Sequence, residues 1–90
     1  MIFSATTHLS VSGAVRSGPG ALAGVLLAGG SNAATVTIYD NTSGSGTVLA
    51  VLKAAAEETR SWTPAFPQAC ANGLYATITG TSPAVTVTYL

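Results

Sequence analysis

The side chains able to do chemistry in this sequence are few. It holds one histidine, His8, one cysteine, Cys70, and three side-chain carboxylates, Asp40, Glu57 and Glu58. A nucleophilic serine needs a histidine to take its proton and a carboxylate to orient that histidine. His8 and Asp40 are the one such combination on offer, and no Gly-x-Ser-x-Gly turn marks a serine to join them. Glu57 and Glu58 are adjacent, so on an extended chain they project to opposite sides and do not converge on one substrate bond. A lone histidine cannot supply a multi-histidine metal site, and a lone aspartate cannot furnish a calcium-binding EF-hand loop. The chain therefore reads as non-enzymatic, with no catalytic residue, cofactor or metal expected.

Weaker motifs end the same way. Gly13 and Gly18 have the glycine spacing that opens a phosphate-binding loop, but Pro19 and Gly20 stand where Lys and Ser or Thr are required. Asn41-Thr42-Ser43 matches a glycosylation acceptor and reads as a turn. Cys70 reads as a small, partly buried apolar residue, and a single cysteine excludes an internal disulfide. Trp62, with Tyr39, Tyr75 and Tyr89, could stack on a sugar ring. The competing reading has Trp62 and Phe66 closing one end of a core of small residues, and no cluster of Asp, Asn, Gln or Arg stands near them to bind hydroxyls.

Composition narrows the partners. Only 7% of the 90 residues are charged and the formal net charge is zero, where a typical soluble domain is roughly 25% charged. Three cations cannot form the basic stripe that nucleic acid requires, nor draw the chain to an anionic membrane. Disordered chains are rich in charge and poor in aliphatics, the reverse of this one. The most apolar run, Ala21–Ala28, is far short of the ~20 residues of a membrane helix. It makes a poor signal peptide, because the stretch before it carries one charge and Gly24 interrupts it, so an uncleaved chain made in the cytoplasm is expected.

Alternation is the dominant pattern. Ala34–Tyr39, Leu74–Thr79 and Ala84–Leu90 each alternate an aliphatic or small residue with Thr or Tyr, the period of half-buried strands. Val36 and Ile38 share a side opposite Thr35 and Thr37; Leu74, Ala76 and Ile78 oppose Thr77 and Thr79; Val85 and Val87 oppose Thr86 and Thr88. Further strands are expected at Leu9–Ser12, Leu22–Ala28 and Thr59–Thr63. Gly80–Pro83 is short enough to join the last two strands as a hairpin. The segment Val48–Thr59 also carries a helical stripe, Val48, Val51, Leu52 and Ala55. A strand over Thr47–Leu52 followed by a turn at Lys53–Glu58 is favoured, because no good cap precedes it. Met1–Thr7 is either an edge strand or an arm for a neighbouring chain. The expected fold is all-β: a small antiparallel β-sandwich or jelly-roll-like barrel of about six to eight short strands, with residues 1–8 as arm or edge and 9–90 as one domain.

None of the three clearest strands carries a charge. Free monomers usually place Lys and Glu on such faces and edges to keep other chains away. Threonine can pack by its methyl and hydrogen-bond by its hydroxyl without the cost of burying an ion. These faces therefore suit cover by other chains, with self-association expected. The candidate contact residues are Ile2 and Phe3 as anchors, and Thr35, Thr37, Thr77, Thr79, Thr86 and Thr88 as covered faces. Lys53, Glu57, Glu58 and Arg60 cluster at the end expected to stay exposed.

The runs Gly20–Gly30, Ala34–Asn41, Gly73–Gly80 and Val85–Tyr89 resemble the small β-rich virion proteins of tailed bacteriophages, over about residues 9–90. The shared features are strand-and-turn patterns and bring no catalytic residues. The resemblance implies a structural protein of the virion, assembled in the bacterial host cytoplasm. Its first form is a capsid decoration (cement) protein bound to the major capsid protein. A head–tail connector, tail or baseplate component is the alternative, as is a carbohydrate- or receptor-binding module.

Overall fold

The fold follows from burying one side of each alternating strand. A computed structural model describes residues 5–90, so Ile2 and Phe3 lie outside the described residues. Nine strands form: β1 Ala5–Leu9, β2 Gly13–Ser17, β3 Gly20–Ala28, β4 Ala34–Asp40, β5 Thr47–Ala54, β6 Thr59–Trp62, β7 Gln68–Cys70, β8 Gly73–Thr79 and β9 Ala84–Tyr89. They make two antiparallel sheets, one ordered β1-β9-β3-β6 with β7 also on β3, the other β2-β8-β4-β5. The shortest dimension, 17 Å, fits two layers about 10 Å apart. The all-β sandwich expected from the alternation is the fold.

Between the sheets lie Leu22, Leu27, Val36, Ile38, Leu74, Val85 and Val87, all fully buried. Each such side chain contributes roughly 1.5–3 kcal/mol by leaving water. Trp62 is half-buried against this core, whereas Phe66 is 84% exposed. The aromatic plug expected from these two residues is thus made by Trp62 alone. Pro64 and Pro67 flank the loop that carries Phe66 away, and they split β6 from β7 along one side of β3.

Three expectations change. Gly80–Pro83 is not a hairpin, because β8 and β9 lie in different sheets and the turn crosses from one layer to the other. Alternation fixes which side of a strand is buried, and two buried sides can face each other as readily as lie side by side. The strand expected at Leu9–Ser12 lies earlier, at Ala5–Leu9, because residues 5–9 pair along β9. Ser12 instead uses its hydroxyl to imitate a strand residue, accepting from the Ile78 amide at 2.8 Å. Nine strands exceed the expected six to eight by one, and the two with no counterpart among the strands read from the sequence are β2 and β7, five and three residues long. Neither alternates cleanly, and β2 shifts register between Ala14 and Arg16.

At the ambiguous segment the strand wins and runs two residues past Leu52, to Ala54. Pairing with β4 buries Leu52 and Ala54 against the core, which outweighs the helical preference of the run. A turn follows, with Glu57 in the left-handed region at φ 60° and its amide bonded to Gly30 at 2.9 Å.

Candidate functional site

The six candidate threonines sit on the outward sides of the strands whose inward sides build the core. On the four-stranded sheet, register places them in rows. Ala14, Tyr75, Tyr39 and Val48 form one; Thr77, Thr37 and Val51 the next; Thr79, Thr35 and Lys53 the last. Thr35, Thr37 and Thr77 are half-buried by their neighbours in the ladder and Thr79 is exposed. Val51 and Val48 are 53% and 49% exposed, and Lys53 is the one charged side chain in these rows.

Part of this face is already covered. The β4–β5 loop folds back over it, so that a methyl at Gly44 would stand 3.0 Å from Thr77 Oγ1 and 3.4 Å from the Tyr75 ring. An internal frame holds the loop in place: Asn41 Nδ2 donates to the Ser45 carbonyl at 2.8 Å, and Gly46 takes φ 103°. The open part of the face is therefore Thr35, Thr37, Thr79, Val51 and Lys53.

Thr86 and Thr88 are elsewhere. Their strand belongs to the other sheet, and they share rows with His8, Leu26 and Ser61, and with Thr6 and Gly24. Thr86 Oγ1 lies 2.8 Å from His8 Nδ1, and Leu26 is 42% exposed beside it. The six candidate threonines thus divide four and two between opposite outer faces of the sandwich.

Two of the three acidic side chains, Asp40 and Glu58, have structural partners. Asp40, at the end of β4, accepts from the amides of Asn72 at 2.8 Å and Ala71 at 3.0 Å. Those two bonds, Asn72 first, hold its carboxyl below the usual aspartate range. Glu58 binds Arg60 at 2.8 Å and also accepts from the Ala55 amide at 3.1 Å, which lowers the glutamate and raises the guanidinium. The expected charged cluster is there: Lys53, Glu57 and Arg60 are exposed and Glu58 is half-buried. His8 and Asp40 lie in different sheets with different partners, so the geometry does not assemble the one histidine–aspartate combination on offer.

The aromatic residues do not form one platform either. Tyr39 and Tyr75 are neighbours on the outside of the four-stranded sheet. Trp62 packs on the core from the other sheet, as does Tyr89, whose hydroxyl is 3.2 Å from Thr7 Oγ1. The described residues enclose no pocket and contain no group of three metal-ligating side chains. Sequence reasoning missed the anchoring role of Asp40, since its partners are 31 and 32 residues away and no local signal links them. No protein-family model, curated protein or solved structure matches this chain.

Proposed function

We propose that this chain is a non-enzymatic structural subunit of a larger protein assembly, and specifically a capsid decoration protein of a tailed bacteriophage virion. The observation that carries the assembly reading is the open outer face of the four-stranded sheet, where Thr35, Thr37, Thr79 and Val51 are accompanied by the single charge of Lys53. A face of this kind loses little on leaving water, because methyls gain by burial and hydroxyls can be re-bonded to a partner. The virion part of the reading rests on the sequence resemblance, with the major capsid protein as partner. The anchoring of Asp40 and Glu58 in turns supports a structural role for the few charges present.

Electron microscopy of the native particle is the test. The expected result is density for this chain in a symmetric array on the shell. The double variant Thr37→Lys/Thr79→Lys should vacate those positions while keeping its melting temperature within a few degrees, since both side chains lie on the outer face. Density at the neck or tail would replace decoration by a connector role. A chain found in no particle, and monomeric at high concentration, would overturn the assembly reading altogether.

A further inference from the structure

The four-stranded sheet ends in β5, which pairs only with β4 among the described residues and leaves one side of its backbone open. An open strand edge is a template for another strand unless something blunts it. The other edges are shorter or interrupted. The β2 edge is five residues with a register shift and Arg16. The β6–β7 edge is split by the loop with Pro64 and Pro67 and carries Arg60. Among the described residues the β1 edge has five and no large apolar side chain exposed. β5 also has a register shift and a charge, Lys53, but at eight residues it is the longest described edge strand, and it presents two large apolar side chains, Val48 and Val51, to solvent.

Register decides what can pair there. A bulge at Leu49 interrupts the ladder, since Tyr39 pairs with Val48 and Ile38 with Ala50. The regular part is Ala50–Ala54, five residues centred on Leu52. A two-fold axis through Leu52 would set this segment against itself with every side chain on its proper side. Ala50 meets Ala54 of the second copy, and Val51 meets Lys53. The small alanines and Leu52 stay inward, and the lysine stem lies over the half-exposed valine with its ammonium in water. Lysine never opposes lysine, and zero net charge adds no long-range repulsion between copies.

We propose that β5 is a homodimer edge, joining two copies antiparallel about Leu52 into one continuous eight-stranded sheet. The pairing deepens the reading of the chain as an assembly subunit by naming its first partner as itself. A ladder of five residues per copy is small for a stable interface, so a dissociation constant on the order of 10 µM is expected.

Sedimentation velocity across a concentration series tests it. Wild type should pass from monomer to dimer. Val51→Lys sets two lysines against each other twice per dimer and should weaken it about tenfold. Val51→Glu sets a carboxylate against each Lys53 and should keep or tighten the dimer, and Val51→Lys/Lys53→Glu should restore it. Position 51 is half-exposed, so all three variants should fold as wild type. A wild type that stays monomeric up to ~1 mM overturns the proposal. So does equal weakening by Val51→Lys and Val51→Glu, the result expected if Val51 faced its own copy. A monomer that still decorates particles would overturn the dimer edge and leave the assembly reading standing.

Discussion

Asp40 ends the strand whose outward threonines make the candidate face, and it fastens that strand to the turn before β8. Its carboxylate accepts the Asn72 and Ala71 amides, and these bonds keep its folded-state pKa below the ordinary 3.8. A carboxyl lowered by folding stabilises the fold above its unfolded pKa and loses that contribution as pH falls. Asp40→Ala should therefore melt at a lower temperature than wild type at neutral pH, and the gap should close below about pH 4. Asp40→Asn keeps one acceptor oxygen and should fall between the two. Glu58 is also lowered, by Arg60 and the Ala55 amide, so the wild-type curve alone does not isolate Asp40. Thermal melts of the three proteins from about pH 2 to pH 7 do so. A gap that persists unchanged in acid would mean that the carboxylate is not what position 40 contributes.

At the scale of elements, strands were legible in the sequence where they alternate, and their sheet partners were not. Val36, Ile38, Leu74, Ala76, Val85 and Val87 all face the core as their spacing requires. That same spacing could not show that β9 leaves β8 for the opposite sheet, which is what separates Thr86 and Thr88 from the other candidate threonines. Nor could it show the β4–β5 loop lying over Thr77, a contact made by backbone at Gly44. Glycines carry much of this hidden information. A methyl on Gly30 would meet the carbonyl oxygens of Thr81 and Ser82, so the turn between β3 and β4 can lie against the turn crossing from β8 to β9 only with glycine there. Gly30→Ala should cost about 1–3 kcal/mol and lower Tm by at least about 5 °C. Gly13→Ala is the control. Its new methyl would find its nearest neighbour at 3.7 Å, an ordinary contact, and stability should change by no more than about 0.5 kcal/mol. Equal losses in the two variants, read by thermal unfolding, would refute the close approach at Gly30.

For the whole molecule, the low charge, six charged side chains in 90 residues, sets how any association must respond to salt. One salt bridge forms among the described residues, Glu58 with Arg60, whose side chains are 38% and 60% exposed. Exposed pairs contribute little to stability and are screened by salt. The open threonine face carries one charge, Lys53, and the proposed β5 pairing opposes no charges of unlike sign. Contacts made by strand hydrogen bonds, methyls and hydroxyls have little charge for ions to screen. Self-association should thus change by less than about twofold between 0.05 and 0.5 M sodium chloride, and the melting temperature by no more than about 2 °C. Sulfate should strengthen association modestly, because it favours the burial of apolar surface. Sedimentation in the two salts separates the cases. A dimer that dissociates steeply as sodium chloride rises would require contacts through Arg16, Lys53, Arg60 and the three acidic side chains, and would turn attention from the threonine faces to the charged turn after β5.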